Sequence, residues 1–311
     1  MRVFVAGGTG VVGRRLLPQL VARGHEVVAT TTNPDKVTLL EQLGAEGMVM
    51  DGLDAASVGE AVAAARPEVV VHEMTALSPE HAGKLNPRKA ERFVSGTIRL
   101  RSEGIDHLLA AAEASGVAHV VSQSAALANG AHDGGWDAPE DRPLEVVGGP
   151  STLRDGAQAL HHLEDAVLAA GGAALRYGAL YGDGASDEQI RMVRRRMLPI
   201  IGDGAGYTSW VYVGDAAAAT VLAVEQRAAG VYNIVDDEPV AMREWVPYLA
   251  QCAGAKRPRR IPAWLARMLA GEMMVNMMAQ TRGFCNAKAK RELGWLPTYA
   301  SWREGFRKEL E

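Results

Sequence analysis

Short runs of β-branched and other apolar residues alternate with amphipathic stretches through the first 125 residues of the chain. "RVFVA", "EVVATTT", "GMVM", "EVVVHEM" and "HVVSQS" are short and apolar, as strands covered on both faces should be. Between them "RRLLPQLVARG", "PDKVTLLEQLG", "SVGEAVAAA" and "IDHLLAAAEASG" place apolar residues three and four apart, and several close on Gly, as helix C-termini do. This alternation predicts a parallel sheet, because right-handed crossovers carry successive helices to its faces. A Gly-, Asp- and Pro-rich excursion follows, "NGAHDGGWDAPEDRPLEVVGGP", long enough for a lid or surface loop. The helix "LRDGAQALHHLEDAVLAAG" and the strand "AALRYGALYG" then return to the sheet. Beyond Gly182 short strands ("TSWVYV", "GVYNIV") mix with helices ("AMREWVPYLAQCAG", "AWLARMLAGEMM", "NAKAKRELG"). The expected organisation is an α/β doubly wound parallel sheet over 1–182, with a smaller, mostly helical substrate-binding region over 183–311 that returns some chain to the sheet.

Composition narrows the class. The 311 residues are 48% hydrophobic and 23% charged with a formal net charge of -4, which points away from nucleic acid as a partner. Cys252 and Cys285 form neither a disulfide framework nor a metal-ligand spacing, so no metal is expected and a reducing, cytoplasmic setting is. The N-terminus enters a strand at once without an export leader, and no run of 18 apolar residues signals a membrane span.

The chemistry begins at "VFVAGGTGVVGRRLLPQL", where Gly7, Gly10 and Gly13 lie between a strand and a helix. Glycine allows a tight turn and a close backbone approach, and the helix N-terminus offers unpaired N–H groups to a pyrophosphate. Gly7, Gly10, Val11, Val12, Gly13 and Arg14 are therefore the expected dinucleotide-binding loop. No acid stands at the end of the second strand, which closes on Thr30, Thr31, Thr32 and Asn33. Thr31, Thr32 and Arg14 suit a ribose 2′-phosphate, so NADP(H) is favoured and NAD(H) is the alternative. Asp35 is a candidate displaced acid.

The G-x-x-G-x-x-G spacing resembles the short-chain dehydrogenase/reductase superfamily, and nearly the whole chain resembles its extended, epimerase/dehydratase-like branch, built on a Rossmann-type sheet. "MDGLD" is similar to the segment where an Asp nears the adenine, which assigns Asp51 and Gly52 to the cofactor, and "VVVHEMTA" to the strand beside it, which adds Met74. "HVVSQSAAL" resembles the strand ending in the active-site serine, here Ser124. "LRYGALYG", "TSWVYVGDAAAATVLAVE", "GVYNIVDDEPVAMREW" and "KAKRELGWLPTYASWREG" match the rest. The resemblance also implies a homodimer through the helix of Arg154 to Ala169 and its neighbour of Ile105 to Ser115.

Three departures matter. With the register fixed on Glu164, the family's Y-x-x-x-K-x-x-x-E helix has Gly156 at the tyrosine position and Leu160 at the lysine position, so the usual acid/base pair is absent. Arg101 stands where the family often has the Asn of its proton relay. Ala179 replaces an Asn found in nucleotide-sugar epimerases, which argues against that substrate. His161 and His162 lie off the cofactor face at 100° per residue and are expected at the surface or an interface. Ser124 and Tyr177 are the candidate catalytic hydroxyls, and Thr152, Gly156, Leu160 and Arg101 the candidate substrate contacts. Tyr181 reads as structural, the adjacent His72 and Glu73 as a strand-end pair without a metal, and Asp236, Asp237 and Glu238 as a solvated turn. Met268, Met273, Met274, Met277 and Met278 fill a core or line an apolar pocket. Arg191, Arg194, Arg195 and Arg196 read mainly as a solvated face.

These residues imply an NAD(P)H-dependent reductase of a carbonyl, enone or imine in a mid-sized, apolar metabolite, working without the Tyr/Lys pair. The alternatives are a cofactor-retaining epimerase or dehydratase and a non-catalytic dinucleotide-sensing regulator.

Overall fold

The computed structural model describes residues 1–77, 90–126, 137–140, 144, 151–279 and 281–311. Seven strands form the main sheet: β1 (Arg2–Ala6), β2 (Glu26–Thr31), β3 (Glu46–Val49), β4 (Val69–His72), β5 (His119–Ala125), β6 (Ala173–Tyr177) and β7 (Gly230–Ile234). Their order is β7-β6-β5-β4-β1-β2-β3 and every pairing is parallel. The helices are α1 (Gly13–Ala22), α2 (Val37–Gln42), α3 (Ala55–Ala65), α4 (Ala90–Ala114), α5 (Ser151–Ala169), α6 (Asp187–Arg194), α7 (Val213–Gln226), α8 (Met242–Cys252), α9 (Ala263–Ala279), α10 (Ala287–Leu293) and α11 (Trp302–Leu310).

Residue parity sorts the core. Val3, Val5, Val69, Val71, Val121 and Leu175 pack with Leu16 and Leu17 of α1 and Ala216 and Val224 of α7. Phe4, Val70 and Val120 face the other way, onto Val58 and Val62 of α3 and Leu108 of α4. Because side chains alternate along a strand, the same parity decides which face each residue at the strand ends serves. Ile105 of α4 packs on Leu163 and Val167, which fastens α5 beside it. The strand order reverses between β1 and β4, and the crevice beyond the C-terminal ends at such a switch point is where open α/β sheets bind ligands.

The stretch "AALRYGALYG" is two strands. Residues 173–177 join the sheet, whereas Ala179–Tyr181 pairs in parallel with Trp210–Tyr212. Gly178 makes the break, since a Cβ there would lie 2.5 Å from the Ser209 carbonyl oxygen. Main-chain bonds sew the seam: Gly178 N–H donates to Ile234 O at 3.1 Å, Ala179 N–H to Ser209 O at 2.8 Å, and Asp236 N–H to Trp210 O at 2.7 Å. Tyr181, fully buried, joins Trp210, Trp245, Trp302 and Phe306 in an aromatic core.

Two expectations change here. Of the expected solvated turn only Asp237 is exposed: Asp236 is buried, and burial pushes its carboxyl up to about 8. Asp237 N–H donates to Ala300 O and Glu238 accepts from Ser301 and Arg303, so the turn is pressed against the start of α11. His161 is half-buried with Nε2 on the Leu144 carbonyl at 2.8 Å, so only His162, paired with Asp106 at 2.7 Å, is outward. Arg191, Arg194, Arg195 and Arg196 are exposed, and so is Met268. The side chains of Met273, Met274, Met277 and Met278, and most of the predicted excursion over 129–150, lie outside the described residues. Among the described residues no helix is long and apolar enough to cross a membrane.

Candidate functional site

Three of the four glycines between β1 and the start of α1, Gly7, Gly8 and Gly13, have no room for a side chain, a Cβ at Gly8 lying 2.8 Å from that of Ala29. Gly7 has φ +96°, and a Cβ there would stand 2.7 Å from the Glu73 carbonyl oxygen. At Gly13 it would stand 2.6 Å from Gly8 O and 2.7 Å from Gly7 O, so helix and loop touch main chain to main chain. Gly10 is exposed at the tip, with its N–H on Gly7 O, and Val11 is half-buried and Val12 buried behind it. This cradle fits a pyrophosphate, because α1 begins at Gly13 and turns the positive end of its dipole to the glycine loop.

The second strand ends beside the loop. Thr30 accepts from Gly7 N–H at 3.2 Å, and buried Thr31 bonds Thr9 at 3.3 Å. Thr32 and Arg14 are exposed, and Arg14 forms no ion pair among the described residues, whereas Arg15 is paired with Asp183 at 2.7 Å. Asp51 is exposed and accepts Leu53 N–H at 2.9 Å. Gly52 lies against Met74, whose Sδ would be 2.4 Å from a Cβ. The structure thus brings Gly52 and Met74 together at the wall of the crevice.

The two candidate hydroxyls are both engaged. Ser124, on the α4/α5 face of β5, is 1% exposed and donates to Glu164 Oε1 at 2.7 Å. Arg176 completes that cluster with two bonds to the same carboxylate, Nε to Oε1 at 2.8 Å and Nη2 to Oε2 at 2.7 Å. Tyr177 points to the opposite face. Its phenol donates to Glu73 Oε1 at 2.7 Å and touches Thr220, and burial and then Glu73 raise its pKa well above the ordinary value. Glu73 itself is pushed up to about 8 by burial. Neither hydroxyl is presented to open space.

The helix that would carry the family pair behaves differently along its length. Gly156 is half-buried and a Cβ there would meet nothing within 4 Å, whereas Leu160 is 1% exposed and packs with Ala138, Leu144, Val235 and Phe284. Leu160 therefore closes an apolar wall instead of lining an open pocket. Thr152 lies in the first turn of α5, its side chain outside the described residues. His72 and Glu73 are both buried and on opposite faces. His72 Nε2 donates to Leu100 O at 3.3 Å and Nδ1 meets Ser122 at 3.3 Å, and burial lowers its pKa to about 4. Among the described residues no His, Cys, Asp or Glu cluster could hold a metal.

Arg101, on α4, has a solvent-shielded Nε with no hydrogen-bond partner. Burial pulls its pKa down to about 10, against the opposing pull of Glu164. Glu73 was read only as half of a strand-end pair; its bond to Tyr177, the Glu164–Arg176 pair and the unpartnered state of Arg101 went unread in the sequence, although isolated charges inside apolar strand patterns ("VVVHEM", "AALRY") are the signal that marks the first two.

Against known proteins, the family described as the NAD dependent epimerase/dehydratase family matches residues 3–235. A 3-diazoavenalumate denitrifying reductase of a Streptomyces species is 41% identical over 317 residues, covering 99% of this chain and 100% of that protein. A 2-alkyl-3-oxoalkanoate reductase of Stenotrophomonas maltophilia is 28% identical, covering 99% and 98%. A human epimerase family protein solved with NADPH superposes with a TM-score of 0.76 at 19% identity, covering 100% of this chain and 99% of that one.

Proposed function

Because the chain belongs to the NAD-dependent epimerase/dehydratase family, we propose that its crevice reduces a diazonium group carried on an organic acid, with loss of dinitrogen. At the coarser level it is an NAD(P)-dependent reductase acting on a small molecule. A bound nicotinamide dinucleotide supplies the hydride. The observation that carries the finer reading is the acid-poor wall: Gly156 and Leu160 have no proton to give, Ser124 is held by Glu164, and Tyr177 and the raised acid Glu73 are buried against each other. A ketone needs a proton at oxygen as hydride arrives at carbon. A diazonium does not: it is already cationic, takes hydride at its terminal nitrogen and becomes neutral. The C–N bond then breaks, dinitrogen leaves, and the hydrogen ends on carbon, so one hydride accounts for the whole conversion. The 41% identity to a reductase named for a diazo compound and for nitrogen removal supports this acceptor over the carbonyl, enone or imine that the sequence suggested. Two of three reductase relatives are named for acid anions and the third for a quinoline oxide; the 41% identical one is among the two, which supports a carboxylate on the substrate.

The role left to the chain is binding and exclusion of water. Gly7, Gly10 and Gly13 hold the pyrophosphate, Asp51, Gly52 and Met74 flank the adenosine side, and Leu160 with its cluster keeps the reacting region dry. Thr31, Thr32 and Arg14 favour NADPH over NADH, since no carboxylate at the end of β2 would repel a 2′-phosphate.

The test is incubation with NADPH and a carboxyphenyldiazonium salt, following NADPH consumption and dinitrogen release against an enzyme-free control, beside 3-oxoalkanoates. Catalysed dinitrogen release is expected, with tighter calorimetric binding of NADPH than NADH. Turnover of the ketones with none of the diazonium would overturn the acceptor, and tighter NADH would overturn the cofactor preference. We also propose a homodimer along α4 and α5, the face that carries the exposed His162–Asp106 pair. A mass near 33.1 kDa by light scattering at high concentration would refute it.

A further inference from the structure

We propose that Arg101 is the receptor for the substrate's carboxylate and so sets the enzyme's preference for acids over their neutral analogues. The argument starts from α4. Thr97, one turn before Arg101, accepts from Ala76 N–H at 3.0 Å just beyond β4, and Ile105, one turn after, packs on Leu163 and Val167 of α5. Arg101 therefore faces the space between the end of β4 and α5, on the same side of the sheet as Ser124 and Glu164. The neighbouring Leu100 carbonyl is tied to His72.

A guanidinium in such a place ordinarily meets a carboxylate, yet this one does not. Glu164, the acid that attracts it, already gives both oxygens to Arg176 and one also to Ser124. His72, the other charge-bearing neighbour, is neutral and repels it when protonated. Arg101 makes no hydrogen bond among the described residues, and its Nε is shut off from water. Arg101 is half-buried, and keeping a partly desolvated cation without a counter-ion is costly unless a ligand supplies one. The planar fork suits a carboxylate held by two parallel bonds. Arg101 thus binds the part of the substrate that does not react, and the acid-poor wall handles the part that does.

This assignment rests on the reductase reading of the crevice, but its test reads binding. Calorimetry of the NADPH complex would compare cinnamate, an unreactive aryl alkenoate, with its methyl ester. Wild type should bind the acid about tenfold more tightly, the size of a charge-assisted hydrogen bond. Arg101→Met should lose that discrimination while keeping NADPH affinity, and Arg101→Lys should recover part of it. The melting temperature of unliganded Arg101→Met should hold or rise, because an unpaired charge has gone. Equal affinity for acid and ester in wild type, or discrimination that survives in Arg101→Met, overturns the proposal. So does a clear fall in melting temperature or failure to fold, which makes Arg101 a structural partner of Glu164, and so does loss of NADPH affinity. Acid selectivity without diazonium turnover would sink the proposed reaction and leave Arg101 in place; turnover without selectivity would do the reverse.

Discussion

Glu164→Gln is expected to lower the unfolding free energy by about 3 to 5 kcal/mol, the usual penalty for removing one member of a buried ion pair. Both partners are almost wholly enclosed, with side chains 5% and 4% exposed, and the pair is bidentate. The variant keeps the shape but leaves the Arg176 charge without its counter-ion, while the amide satisfies at most one guanidinium bond. Ser124 loses its charged acceptor in the same step. Against a total stability of roughly 5 to 15 kcal/mol this is a large fraction, so urea unfolding should show a midpoint shifted far to lower denaturant. The double variant Glu164→Met with Arg176→Met separates pairing from packing, because it removes both charges together and should sit much nearer wild type. A loss below about 1 kcal/mol in Glu164→Gln would mean that solvent reaches the pair.

Gly13→Val is the second large effect, and it falls on binding. The first carbon of the new side chain would already stand 2.6 Å from one carbonyl oxygen and 2.7 Å from another, both rigid backbone, and valine adds two methyls at that point. Helix α1 must move off the loop, which takes its N–H groups out of line with the pyrophosphate. Losing two charge-assisted hydrogen bonds at about 1.5 to 3 kcal/mol each predicts a fall in dinucleotide affinity of roughly a hundredfold or more. Overpacking should cost about 1 to 3 kcal/mol of stability as well. Gly59→Ala in α3, where a Cβ meets nothing within 4 Å, is the control and should leave binding unchanged. A folded Gly13→Val protein that retains full affinity would show that the cofactor does not use this loop.

The sheet and the glycine loop were readable because each is written in local pattern. Burial on both faces fixes the apolar runs from Val3 to Val121, and no other residue type fits at Gly13. The state of the candidate hydroxyls was not readable, because it depends on partners brought in by the fold. Ser124 is held by a residue 40 positions away and Tyr177 by one 104 positions away. Asp236 failed for a similar reason: three acids in a row look solvated until the start of α11 is laid across them. The gap at Gly156 was visible as a missing tyrosine, but whether space or packing replaced it at Leu160 needed the neighbours Val235 and Phe284.

The seam at Gly178 makes the joint between the cofactor half and the C-terminal half a weld. Its fastenings are peptide groups lying almost in contact, not side chains that can slide past one another. Swinging the halves apart like a clamshell would break Gly178–Ile234 and Ala179–Ser209 together and leave four peptide groups without partners. A molecule built this way admits its ligands by shifting individual side chains and connecting loops over a fixed chassis. Residues beyond the seam can therefore be exchanged one by one without disturbing the glycine loop on the other side of it.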